Sequence, residues 1–291
     1  MSISFHSLYL WRTLFNINML YKKFTPSSFL EPFVKTFYVW ECTIAGGSPF
    51  VVESPPNGYA SMVFNYGNAY RVINDKYSNQ MVPGSFLAGQ STKRYQLQLE
   101  GNIGMIGVVF KPAAVNTIFG LPMYEFSDER IDLSDVLGQS VSFLREQVQE
   151  AETAEQRVQI LESFLSRKII QSKRPFDRTD FLANLILEKH GILPIHELTK
   201  ELYVCPRQFQ RQFLTKVGVS AKYFTRIGRM SNLCAIIARS KWSIQDWHEI
   251  IYQHGYYDQS HFIKEFTEFM GKAPSSYVRN NVELGNYLKQ A

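Results

Sequence analysis

Two textures of apolar and polar positions divide the chain. From about residue 33 to 110 the apolar residues come in short runs rich in Val, Phe and Tyr: FVKTFYVWE (33–41), ASMVFNYG (60–67), AYRVIN (69–74), YQLQLE (95–100) and MIGVVF (105–110). Turn clusters separate them, AGGSP, SPPNG, NDKYSN and VPGS. Short β-rich runs punctuated by Gly and Pro predict an antiparallel sandwich or small barrel. Residues 95–100 alternate strictly, which predicts a strand with one face toward water.

Beyond Pro112 the period changes to three and four. PAAVNTIFG (112–120) reads as a short helix with Pro near its start and Gly at its end. LSDVLGQSVSFLREQVQEA (133–151) and TAEQRVQILESFLSRKIIQ (153–171) read as longer ones. In the second, Val158, Leu161, Leu165 and Ile169 form a stripe that could pack on the β region or form a dimer seam. The polar segment QSKRPFDR (171–178), with Pro175 inside it, reads as a linker. The remainder is helical in pattern, with a Thr/Asp cap expected for TDFLANLILEKHG (179–191) and a long helix over 220–240. The expected fold is α+β in two domains. Residues 20–171 form an antiparallel β domain with helices after it, 172–178 a linker, and 179–282 an all-α domain. Residues 1–20 lack a basic n-region ahead of their apolar part and a small-residue cleavage pattern, so they read as a non-signal extension, with Met19 a candidate start. No apolar run is long enough to span a bilayer, and no membrane association is expected.

The helical part contains a repeat. An offset of 53 residues takes Phe209 to Phe262, Phe213 to Phe266, Arg211 to Lys264, Gly218 to Gly271, Phe224 to Tyr277 and Arg226 to Arg279. Ahead of the turn, Glu197-Leu198 corresponds to Glu249-Ile250. A run of matches in register marks a structural duplication, and each copy has the order helix, tight turn, helix. At about 100° per residue, Phe209 and Phe213 share one face of their helix, while Arg207, Gln210 and Arg211 share another. In the second copy Phe262, Phe266 and Phe269 face inward and Ser260, His261 and Lys264 outward. A polar, basic patch on the first turns of a helix is where a recognition helix places its base-reading residues. Arg can bridge guanine O6 and N7, and Gln can pair with adenine. Asp258 is the expected N-cap of the second of these helices.

Charge and chemistry narrow the function. The formal net charge is +5. Residues 1–175 hold 16 Lys+Arg against 15 Asp+Glu, and residues 176–291 hold 15 against 11, so the smaller part carries most of the excess. Such a balance permits a polyanionic partner. Cys42, Cys205 and Cys234 are scattered and odd in number; they fit neither a disulfide framework nor a zinc cluster, and a reducing cytoplasm is expected. The β region's one histidine is His6, against the several ligands a metal-dependent β-barrel enzyme uses. No P-loop, GxSxG or GxGxxG is present. Neither an enzyme nor a cofactor or metal site is expected.

Residues 180–280 resemble the DNA-binding domain of AraC/XylS-type transcription regulators. GYYDQSHFIKEFTEFMGKAPSSYVR (255–279) carries the signature of the second helix-turn-helix, and CPRQFQRQFLTKVGVSAKYF (205–224) matches the first. The resemblance implies two helix-turn-helix units joined by a long helix and reading successive major grooves. Its base-facing positions fall on Arg207, Gln210, Arg211, Ser260, His261 and Lys264, the residues that helix geometry selects. There are departures: Tyr203 stands where Gly is usual, Thr199 and Ile251 where Ala is frequent, and Cys205 where a Ser cap is usual. Residues 54–67, 86–99 and 106–138 resemble, less specifically, the sensory domain of a subgroup of these regulators, which implies a cupin-like or jelly-roll-like β domain and a helical dimerisation segment. Double-stranded DNA is the implied partner, with a homodimer expected and RNA polymerase a candidate; no ligand follows. Phe37, Tyr38, Trp40, Phe64, Tyr66, Phe86 and Tyr95 either line an effector pocket or form core. Two readings stay open, a ligand-responsive regulator and a DNA-binding protein whose β domain only dimerises.

Overall fold

The computed structural model describes residues 18–44, 49–193, 205–240 and 246–279, together with Ile195, Thr199, Trp242 and Ile244. The strands are β1 (Asn18–Phe24), β2 (Val34–Ile44), β3 (Phe50–Ser54), β4 (Ser61–Asn65), β5 (Arg71–Ile73), β6 (Gln80–Met81), β7 (Ser85–Ala88), β8 (Tyr95–Leu99), β9 (Gly101–Phe110) and β10 (Arg130–Asp132). They form a six-stranded sheet in the order β1-β2-β9-β4-β7-β10 and a four-stranded sheet in the order β3-β8-β5-β6, with every pairing antiparallel.

The large sheet is buried on both faces, and side-chain alternation shows how. Trp40, Cys42, Val63, Phe86, Ile103 and Met105 point to the small sheet and share a core with Val52, Val72, Leu97 and Leu99. Their neighbours Val39, Met62, Phe64, Leu87, Ile106 and Val108 point to the other side. There the cover is α1 (Ala114–Phe119), α2 (Leu133–Leu137), α3 (Ser140–Glu150) and α4 (Ala154–Gln171). Burial on two faces explains why β4 and β9 read as nearly continuous apolar runs. The stripe on α4 is resolved by the same packing: Val158, Leu161 and Leu165 lie in this core and Ile169 packs against it, so the stripe is not a dimer seam.

The helical part comprises α5 (Arg178–Glu188), α6 (Pro206–Val217), α7 (Ala221–Arg239), α8 (Trp247–Gln253), α9 (Gln259–Met270) and α10 (Pro274–Arg279) around a second core. The first helix expected in the first copy of the repeat, with Glu197, Leu198 and Tyr203, lies outside the described residues except for Ile195 and Thr199.

Some expectations are corrected. The run 133–151 is two helices, because Gly138 ends α2 at φ 73 and ψ −170, a conformation that only Gly adopts readily. Asn18 and Met19, placed ahead of the expected β domain, belong to β1 and pair with Thr43 and Cys42. The cap of α5 is Asp177 rather than Thr179 or Asp180: its carboxylate accepts from the N–H groups of Thr179 and Asp180, and the Asp180 carboxylate closes a reciprocal capping box.

The β domain and the helical part are joined by buried polar links. Asp180 is buried and accepts from Thr117 Oγ1 at 2.6 Å and Lys216 Nζ at 2.6 Å, tying α1, α5 and α6 together. The carboxylate of Glu53 on β3, 1% exposed, meets Lys272 at 2.8 Å and Arg94 at 3.0 Å. Among the described residues no helix is long and apolar enough to cross a membrane.

Candidate nucleic-acid interface

The two copies of the repeat fold alike in their interiors. Phe209 and Phe213 of α6 pack ring to ring at 5.4 Å, and Phe213 meets Phe224 of α7 at 5.6 Å. In the second copy Phe262 and Phe266 of α9 lie 5.8 Å apart, and Phe266 meets Tyr277 of α10 at 5.3 Å. The offset of 53 residues maps each contact onto the other. Each buried ring contributes about 1.5–3 kcal/mol through the apolar area it removes from water. Both helices stop at a left-handed glycine, Gly218 at φ 97 and Gly271 at φ 67, where a residue with Cβ would be strained.

With those faces turned inward, the opposite faces are free. Arg207, Gln210 and Arg211 are exposed on the first two turns of α6, and Ser260, His261 and Lys264 on those of α9. Among the described residues the side chains of Arg207, Arg211 and Lys264 have no hydrogen bond or ion pair, unlike Lys216 and Arg226 on the inward-turned faces. His261 sets its ring against Tyr256 at 5.5 Å. Asp258 caps α9, accepting from the His261 N–H at 2.7 Å, a contact worth about 1 kcal/mol. Cys205, the equivalent position in α6, is exposed and makes no cap.

A buried network fixes α9 on α7. Glu265, 4% exposed, accepts from Arg226 Nε at 2.9 Å and from the Tyr256 hydroxyl at 3.0 Å, with Arg229 at 3.5 Å. Burial and the neighbouring Glu265 carboxylate raise the Tyr256 phenol well above its ordinary range. Arg226 also reaches Glu268 at 2.6 Å. His254 is buried at the end of α8, where its Nδ1 donates to the Ile250 carbonyl at 2.7 Å and its Nε2 accepts from Asn232. Burial lowers its pKa, which favours this neutral form. Thr199 and Ile251, the positions where Ala is frequent, are both buried.

The far ends of the two outward helices dock on the β domain. At the end of α6, the Gly218 carbonyl accepts from Ser127 Oγ at 3.0 Å, and a Cβ on Gly218 would stand 2.7 Å from the Met123 carbonyl oxygen. At the end of α9, the Phe269 carbonyl accepts from the Arg94 N–H at 3.0 Å, and a Cβ on Gly271 would meet the Arg94 guanidinium at 2.8 Å. Equivalent ends of both helices thus face the β domain, while their N-terminal turns point away.

Between the two sheets lies a cavity of about 180 Å³. Tyr38, Trp40, Phe86 and Tyr95 line it, whereas Phe37 and Phe64 lie in the core on the other face of the large sheet. Tyr66, partly buried, packs against that same core, and its hydroxyl donates to Glu41 at 2.7 Å. Arg130, which the sequence reading did not single out, also lines the cavity; it stands between Glu129 and Ile131 in an acidic stretch, with nothing local to mark it. Cys42 is a core residue, and burial pushes its thiol up to about 12.

Comparison with known proteins agrees with the geometry of the helical part. A family described as a helix-turn-helix domain matches residues 198–280. A family described as a domain of unknown function (DUF6597) matches residues 22–132. No curated protein matches at a significant level. Among solved structures, ToxT from Vibrio cholerae O395 is 13% identical, with 90% of this chain and 97% of that one covered at a TM-score of 0.42. Unsaturated fatty acid bound wild-type ToxT from V. cholerae strain SCE256 is 17% identical, with 86% and 96% covered at 0.43. The AraC-like transcriptional activator CuxR is 14% identical, with 81% and 92% covered at 0.29. These are distant likenesses. The family match and the duplicated interior together show that the chain carries a helix-turn-helix domain toward its C-terminal end.

Proposed function

We propose that the chain is a sequence-specific DNA-binding transcription regulator whose α6 and α9 enter two successive major-groove segments. The observation that carries this reading is the pairing of two equivalent helices, each with aromatic residues buried behind it and unpaired polar and basic side chains exposed on its first turns. The helix between the two copies suits the span: 19 residues at about 1.5 Å each give roughly 28 Å, against about 34 Å between successive grooves. Arg207, Gln210, Arg211, Ser260, His261 and Lys264 are the proposed contacts, with basic side chains and helix N-termini holding phosphates. A small-molecule effector in the β-domain cavity is favoured over a β domain that only dimerises, because the cavity lies directly behind the loops that touch the helical part. A second copy of the chain and RNA polymerase are the partners this reading adds.

Selection of bound sites from randomised duplexes, followed by affinity measurements over a salt series, tests the proposal. Enrichment of a site with two segments about one helical turn apart is expected, with affinity falling steeply as salt rises. Salt-independent binding, or no enriched sequence, would refute it.

A further inference from the structure

The cavity between the two sheets carries a specific chemistry. Its one charged lining residue is Arg130, which is 8% exposed. Among the described residues its guanidinium has no carboxylate partner and no hydrogen bond; its contact is the face of the Tyr95 ring, 4.5 Å from the guanidinium carbon. Trp40, 2% exposed and also in the lining, has an indole N–H with no acceptor. The hydroxyls of Tyr21, Tyr38 and Tyr95 likewise have no protein acceptor among the described residues, and neither Asp nor Glu lines the space. Gly107 lets the Tyr38 ring lie flat across β9, since a Cβ there would come within 2.3 Å of it. A buried cation without a counter-ion is costly, and buried polar groups ordinarily find partners. Arg130, Trp40, Tyr21, Tyr38 and Tyr95 all line the same space.

We propose that this cavity binds a small organic carboxylate, with Arg130 as its counter-ion, the Trp40 N–H as a second donor, and the surrounding aromatic rings around its apolar body. A single lining cation matches a monoanion; a phosphate dianion would remain half neutralised. The size is right for one ring, since about 150 Å³ accommodates benzene. The proposal rests on the regulator reading for its consequence, which the loops around the cavity supply. Asn57, Tyr59 and Ser91 line the cavity. Between and beside them, Gly58 packs on Leu187 and Phe224 of the helical part, and the Thr92 carbonyl accepts from the Tyr223 hydroxyl at 3.2 Å. A bound acid therefore presses on the same loops that hold the helices.

The test uses the full chain without DNA, by thermal shift and calorimetry. The probes are benzoate, cyclohexanecarboxylate and hexanoate, their neutral amides, and inorganic phosphate. At least one acid should stabilise the protein by mass action, while its amide and phosphate should not. Arg130→Gln should weaken the acid by roughly 10- to 100-fold, Arg130→Lys should restore part of it, and Trp40→Phe should weaken it less. If Arg130→Gln does not fold, the acid-against-amide comparison and Trp40→Phe decide alone. An amide that binds as well as its acid, equal competition by phosphate, or no binding by any acid up to millimolar concentration overturns the proposal. DNA affinity measured with and without the acid is a separate readout: an acid that binds a chain without DNA affinity leaves the site standing and removes the regulator reading, and DNA binding without any bound acid does the reverse.

Discussion

Cys205→Ser should stabilise the protein and leave DNA affinity intact, whereas Cys205→Asp should stabilise it at least as much and weaken DNA binding. At the N-cap of α6, Cys205 already has extended backbone angles, φ −60 and ψ 121, and its carbonyl accepts from the Phe209 N–H at 2.9 Å. Only the side-chain bond is missing. Asp258 in the second copy makes that bond to the His261 N–H at 2.7 Å. Pro206 has no N–H, so the donors left open are those of Arg207 and Gln208. A hydroxyl or carboxylate at 205 is set to accept one of them, for a gain of about 1 kcal/mol. The carboxylate adds about 0.3–1 kcal/mol by facing the positive end of the helix. Urea unfolding should show the gain as a raised midpoint at unchanged slope. On DNA the signs part, because Asp sets a negative charge where the helix N-terminus is proposed to meet phosphate. Unchanged midpoints for both variants would show that the first turn of α6 is already satisfied. Equal DNA affinity of Ser and Asp variants would show that this turn does not face the backbone.

Arg211→Ala should lose about 1–3 kcal/mol at one base position and relax specificity there, with stability unchanged because the side chain is exposed and unpaired; a uniform loss on all sequences in a binding-site competition would make it a phosphate contact. Glu265→Ala strands Arg226 and Arg229, and breaking a buried pair costs about 3–5 kcal/mol. Their side chains keep 23% and 19% exposure and Arg226 retains Glu268, so about 2–4 kcal/mol is expected in urea unfolding, with Glu265→Gln milder. His254 has a folded pKa below its unfolded value of 6.5, so the folded state resists protonation. Its contribution is fully present above pH about 6.5 and is lost as the pH falls toward the folded pKa; His254→Gln should flatten that part of the stability-against-pH curve.

The duplication and its outward faces were legible because each is local: a helical period, buried Phe residues at fixed spacing, and Gly218 and Gly271 as stops. The strands of β2, β4, β5, β8 and β9 were legible for the same reason. The segments missed are those whose strand character is supplied by a partner. FVVES of β3 is a strand because it pairs with β8 from Phe50↔Leu99 to Ser54↔Tyr95, and Arg130–Asp132 because it lies against β7. Charged residues at 128–130 hide that edge strand from any hydrophobic pattern. The cavity was illegible for a stronger reason: Arg130, Trp40 and Tyr38 come from β10 and β2, which lie at different places in one sheet, and only tertiary pairing faces them to one space. Asp177 was missed as a cap because the expected linker extended over it.

The two docking points of the outward helices are tied to one another within the β domain. Ser127 holds the end of α6, and Arg94 holds the end of α9. Between them, the Asp128 carboxylate accepts from the Thr92 N–H at 2.7 Å and from its hydroxyl at 2.6 Å, and the Asp128 N–H donates to the Gln90 carbonyl at 2.9 Å. The segments 90–94 and 127–128 therefore act as one strap that touches both helices at their C-terminal ends, 53 residues apart in sequence but equivalent in the repeat. Arg130 begins β10 two residues beyond Asp128, and Ser91 sits inside the strap, so the cavity borders it from behind. Anchored only to each other, α6 and α9, the helices proposed to read DNA, would keep a fixed separation whatever occupied the β domain. Held by a common strap as well as by the helical core, they have a spacing on which that domain also bears. On the proposed reading, a shift of the strap would alter the distance between the N-terminal turns of α6 and α9, and DNA with grooves at fixed spacing rewards one separation over another.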